Sequence, residues 1–169
     1  MTDEGHYQAA VCMRGHVIDP MIEPRMTQSE PLPLHCGKCG KKVLTECPHC
    51  TTHIQGMARG SVSFEEWRPA DFCHHCAHPY PWASQEAMAY HVENLLDEDN
   101  LPEGDRRALE AQLVSLRTPA DGDPAVEKRQ VAALRLLRTA APKAWELAGP
   151  VLQVILTAEM RRQLGLPPA

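Results

Sequence analysis

From residue 84 onward, apolar positions recur at helical spacing. Met88, Val92 and Leu95 share one face of a predicted helix over 85–97, with Ser84 placed to cap its start. Leu109, Leu113 and Leu116 are spaced i, i+4, i+7 and predict a second helix over about 103–116. The turn-rich stretch "TPADGD" interrupts the pattern. Asp123 followed by Pro124 then reads as cap and first position of a third helix, to about 140. A fourth is expected over 142–164, stopped by Gly165 and Pro167. Gly149-Pro150 lies inside it, so a kink or break is expected there. Between Trp145 and Leu156, "WELAGPVLQVIL" is apolar around most of its circumference and must be covered. Three short helices offer limited cover. The preferred reading is therefore assembly with a second copy or another protein through Trp145, Val151, Leu152 and Ile155. Burial in a monomeric bundle and docking on a membrane surface are the alternatives. Glu146, Gln153 and Glu159 speak against a membrane-spanning role.

The first half shows no such period. "HYQAAV" and "HVI" read as strands flanking a turn, "KKVLTE" as a link between clusters, and "SVSFEEW" as a further strand. "MIEPRMTQSEPLPL" reads as a loop. The change of character falls at "PYPWAS", residues 79–84, giving two expected domains, 1–83 and 84–169. In the second domain the last helices, 124–141 and 142–164, are the expected assembly elements.

All seven cysteines lie in the first domain. Six form Cys-x-x-Cys pairs: Cys36/Cys39, Cys47/Cys50 and Cys73/Cys76. Two intervening residues let both sulfurs of a turn face one ion, so each pair is half of a tetrahedral zinc site. Cys12 is unpaired, but "CMRGH" sets His16 four residues on, and Gly15 suits the tight turn such a half-site needs. Eight ligands then serve two zinc ions. Nineteen residues separate His16 from Cys36, twenty-two separate Cys50 from Cys73, and seven separate Cys39 from Cys47. The two long gaps suit excursions that return to the first turn, and the short one suits a connector between finished sites. Cys12, His16, Cys36 and Cys39 are thus one expected site; Cys47, Cys50, Cys73 and Cys76 are the other. His6 and His35 are rivals to His16, and a cross-braced pairing is the rival arrangement. His49, His74 and His75, inside the turns, read as exposed residues.

The order "CMRGH", "HCGKCGKK", "ECPHC", "PADFCHHCAHPYPW" resembles an uncharacterised family of bacterial double zinc-ribbon proteins, a domain of unknown function. The resemblance covers about residues 7 to 84, with a weaker match at "AWELAGPVL". It implies the same eight metal-ligand positions and no established activity. The pattern has Gly after the last cysteine where this chain has Ala77. The expected fold class is small α+β: a tandem zinc ribbon with short strands, then about four α-helices.

Charge narrows the function classes. Residues 1–83 hold 7 Lys+Arg against 9 Asp+Glu, and residues 84–169 hold 10 against 13, so neither half is basic. Nucleic-acid binding is accordingly the secondary expectation, resting on Lys38, Lys41 and Lys42. Within the second half, 85–127 carries 3 basic and 11 acidic residues (net -8) and 128–169 carries 7 and 2 (net +5). That asymmetry implies either internal complementation or a basic surface for a partner. No phosphate loop, nucleophile elbow or open metal position points to an enzyme. The start "MTDEGHYQAAV" lacks a signal-peptide pattern, and no run of about 18 apolar residues spans a membrane. The expectation is a cytoplasmic, non-enzymatic zinc adaptor or scaffold.

Overall fold

The computed structural model describes residues 5–23, 31–61 and 66–168. The chain divides into two compact units, 1–82 and 83–169. Much of the predicted loop over 21–34 and most of the predicted strand over 61–67 lie outside the described residues.

The first unit is built on β1 (His6–Cys12), which pairs antiparallel with β2 (Val17–Ile22), β3 (Val43–Leu44) and β4 (Gln55–Ala58). Ala9, Ala10, Val11 and Cys12 are all fully buried, so β1 is covered on both faces. Successive side chains point to opposite faces of a strand. Ala9 and Val11 enter an apolar cluster with Cys47, Ile54, Cys73 and Tyr80, whereas Cys12 serves the opposite side. β2 runs further than expected, straight through Pro20. Register shifts along the β1–β2 pairing interrupt the ladder and accommodate the missing N–H. β4 comes so close to β2 that a Cβ on Gly56 would stand 2.2 Å from the Pro20 carbonyl oxygen.

The second unit is helical: α1 (Gln85–Asn94), α2 (Glu103–Leu113), α3 (Pro124–Ala140), α4 (Pro142–Leu147), α5 (Gly149–Ile155) and α6 (Ala158–Leu164). Two 3₁₀ segments, Leu95–Asp99 and Val114–Arg117, extend α1 and α2. Ser84 accepts from Ala87 N–H and Asp123 from Ala125 N–H, so both predicted N-caps act as caps. Its core joins Met88, Val92 and Leu96 to Leu109, Leu113, Leu116, Leu134, Leu137, Val151 and Met160, all buried.

The predicted fourth helix is three short ones. Pro150 has no N–H for the carbonyl one turn earlier, and the chain breaks between α4 and α5 as its position requires. The second break was not expected. Leu156 is extended (φ -81°, ψ 126°), and the Thr157 hydroxyl accepts from Met160 N–H at 3.2 Å, starting α6. That hydroxyl also donates to the buried Glu127 carboxylate at 2.8 Å.

Short helices expose many unpaired end groups, and long side chains supply the partners. Asp99 accepts from Lys143 N–H and Ala144 N–H at the start of α4. Arg161 donates to Gln153 C=O in α5, while Arg135 and Arg138 donate to Gln163 and Leu164 C=O at the end of α6. Cations at helix C-termini also suit the backbone dipoles. Four of the seven basic residues in 128–169, with Lys143 donating to Glu98 C=O, therefore bond to backbone carbonyls within this unit. Among the described residues no helix is long and apolar enough to cross a membrane.

Thr157→Ala removes both a cap and the donor to a buried carboxylate. It should lower the unit's stability by about 1–2 kcal/mol, whereas Thr157→Ser should retain most of it. Denaturant melts followed by helical circular dichroism measure the difference.

Candidate metal centres

Three of the four ligand turns share one backbone pattern. The first cysteine's N–H donates to the carbonyl five residues on: Cys36 to Lys41 (2.8 Å), Cys47 to Thr52 (2.8 Å), Cys73 to His78 (2.9 Å). The residue four on donates back to the first cysteine's carbonyl: Gly40 (2.8 Å), Thr51 (2.9 Å), Ala77 (2.9 Å). This closure places residue i+4 in the left-handed region, with φ of 68°, 57° and 57°. Glycine takes that conformation freely. Thr51 and Ala77 hold it at a cost of order 1 kcal/mol or more each.

The fourth turn, at the end of the β1–β2 hairpin, is one residue tighter. Cys12 N–H donates to His16 C=O (3.0 Å), Gly15 N–H donates to Cys12 C=O (2.8 Å), and Gly15 carries the left-handed φ of 82°. The position that bears the second cysteine elsewhere is here the glycine. The donor moves to the next residue, His16.

Donor atoms converge in two groups, each within 4.8 Å: Cys12, His16, Cys36 and Cys39, and Cys47, Cys50, Cys73 and Cys76. Neither His6 nor His35 belongs to a group, and the grouping is consecutive rather than cross-braced. Spacing within the groups tests the fit. A tetrahedron with Zn–S of about 2.3 Å has S···S edges of about 3.8 Å, and a mixed S···N edge is about 3.5 Å. The observed separations are 3.7 Å for Cys12–Cys39, 3.7 Å for Cys47–Cys76 and 3.6 Å for Cys50–Cys73. Cys36 Sγ lies 3.6 Å from His16 Nδ1. A disulfide would need about 2.0 Å. Both donor sets are thus compatible with one zinc ion each.

The thiols are unevenly tuned. At Cys50 the Thr52 hydroxyl and backbone N–H favour thiolate, outweigh burial and bring the pKa down to about 5. At Cys36 burial pushes the pKa up, but the N–H groups of Lys38 and Cys39 and the His16 ring together bring it down to about 6. Burial pushes Cys47 up and, with the neighbouring sulfurs, Cys76 up to about 12. Those two give up protons as an ion enters, so affinity falls as pH falls.

The surroundings of the two sites differ in charge. Three thiolates and an imidazole leave a zinc site at -1; four thiolates leave -2. The turns of the first site carry Arg14, Lys38, Lys41 and Lys42, all exposed, and among the described residues none of their side chains has a hydrogen-bond or ion-pair partner. The turns of the second site carry no Lys or Arg but four histidines, His49, His74, His75 and His78. The rings of His49 and His78 stack, with centroids 3.8 Å apart.

Sequence reasoning missed the aromatic residues beside the second site. Tyr80 is buried, its N–H donates to Asp71 C=O, and its side chain packs in the apolar cluster with Cys73. Burial and the adjacent sulfurs push its phenol pKa upward. Tyr80 stacks on Trp82 (centroids 4.6 Å, 13°), whose Nε1–H donates to Ala70 C=O. "PYPWAS" read as the domain boundary because of its prolines; the signal was two aromatic residues directly after the last cysteine turn.

Strands carrying two four-donor sets, followed by a helical region, define a double zinc-ribbon protein of small α+β class. The chain belongs to a family described as an uncharacterized protein conserved in bacteria (DUF2321), which matches residues 5–155. No curated protein and no solved structure matches it.

His16→Ala leaves the first site three donors. Zinc per chain should fall from two toward one under a chelator that leaves the unaltered chain filled, as read by metal analysis after dialysis.

Proposed function

We propose that the chain is a non-enzymatic zinc-binding adaptor, in which the ribbon unit is a metal-stabilised head and the helical unit engages a second copy or a protein partner. The observation that carries the metal half of this reading is the closure of both sites. Four protein donors occupy every tetrahedral position, which suits a structural ion rather than one that activates water. Ribbon units of this size have small cores, so bound metal supplies much of their folding energy.

The assembly half rests on exposed apolar side chains in the last helices. Of the residues expected there, Val151 and Leu152 are buried, and Trp145 and Ile155 are half-buried. Leu147 (48% exposed) and Val154 (53% exposed) present more apolar surface. Contact is therefore better sought at Leu147, Val154, Trp145 and Ile155. Zinc-loaded chain should sediment as a dimer or larger. Leu147→Glu with Val154→Glu should shift it to monomer without loss of helicity. A concentration-independent monomer in the unaltered chain would remove self-assembly.

One observation favours a second reading, nucleic-acid binding: the exposed cations Arg14, Lys38, Lys41 and Lys42 on the turns of the first site, unpaired among the described residues. If each neutralised one phosphate of duplex DNA, log K against log salt would have a slope of about -3.6. A gel-shift titration over salt measures it. Absence of salt-sensitive binding would eliminate this reading.

A further inference from the structure

The two metal sites share a wall. Cys47 and Cys73, ligands of the second site, lie in one apolar cluster with Ala9 and Val11 of β1, and Cys12 at the end of that strand is a ligand of the first. A second connection runs through side chains. Tyr80 packs with Cys73 in that cluster and stacks on Trp82. Trp82 in turn lies against the turn that presents His16. A Cβ on Gly15 would stand 3.1 Å from Trp82 Cβ and 3.3 Å from its Cγ. Gly15 thus has two reasons to lack a side chain: its left-handed φ and the indole packed over it.

This arrangement has a thermodynamic consequence. Ligation of Cys73 and Cys76 anchors the last turn and the Tyr80–Trp82 pair that follows it. Without that anchor, the segment over 70–82 is held by its internal hydrogen bonds and by the apolar packing of Tyr80 and Trp82, and the 12–16 turn loses part of its backing. The first ion must then meet the ordering cost of both. We infer that the two sites fill with positive coupling, and that Trp82 is the positioning residue through which the second site prepares the first. The inference rests on the reading of both donor sets as metal sites. Coupling is reciprocal, so each ion raises affinity for the other by the same factor. About tenfold lies within the usual range for such effects.

The experiment is a cobalt(II) titration of the full metal-free chain. A set of three thiolates with one imidazole and a set of four thiolates give distinguishable d–d bands, so each site is followed separately. Cys76→Ser weakens the second site and should lower cobalt affinity at the first about tenfold. Trp82→Ala keeps all eight ligands. Both sites should still fill at excess cobalt, with first-site affinity lowered by a similar factor. In the double variant the effects should not add, because both remove one connection. An unchanged first-site affinity in Cys76→Ser would overturn the inference, as would additive losses in the double variant. Absence of thiolate–cobalt bands at either site in the unaltered chain would instead overturn the metal reading itself.

Discussion

Four donors must reach one point from separate parts of the chain. An ion with bonds of about 2.3 Å to sulfur tolerates little scatter in where those sulfurs lie. In this protein the tolerance is met by backbone geometry before any side chain is placed. Each turn is locked by two main-chain hydrogen bonds around the first cysteine, and a residue beside the second ligand is bent into the left-handed region. The sheet then brings the turns together. β1 ends in Cys12, pairs through Val11 and Cys12 with β3, and so sets the first two turns opposite each other. The apolar cluster around Ile54 and Tyr80 does the same for the other two.

The helical unit solves a different problem with related means. Its last three helices are six or seven residues long, shorter than helices that hold themselves in water. They persist because other side chains finish their ends and because small residues allow close approach. Ala141, Ala144 and Ala148 are all fully buried. Much of the polar chemistry here goes to backbone groups: Gln130 to Ser115 and Thr118 carbonyls, Gln85 to Leu116 C=O, Asp99 to the first turn of α4.

What the sequence announced and what it concealed follow from the range of the forces involved. Ligand turns are local, so Cys-x-x-Cys and "CMRGH" expose them directly. The α+β class and the caps at Ser84 and Asp123 were legible for the same reason. The division of the fourth helix at Pro150 was legible because proline lacks a donor whatever surrounds it. The division at Leu156 was not: the hydroxyl of Thr157, which caps α6, also bonds to Glu127 on α3, thirty residues away. Passage of β2 through Pro20 was hidden likewise: only the observed register shifts make that residue tolerable in a strand. The role of Tyr80 and Trp82 depended on which residues lay across the fold.

The short turn at Cys12 and the histidine that follows it form one device. Removing a residue from the loop displaces the second donor along the chain, and an imidazole compensates because Nδ1 stands one bond further from the backbone than a thiol sulfur. Here the donor follows the left-handed glycine and is a histidine; in the other three turns the second donor precedes the left-handed residue and is a cysteine. Loop length and ligand type at this corner are therefore a matched pair. Rebuilding this corner in the form of the other three turns would change both, and it would add chain beside Gly15, where the indole of Trp82 already packs.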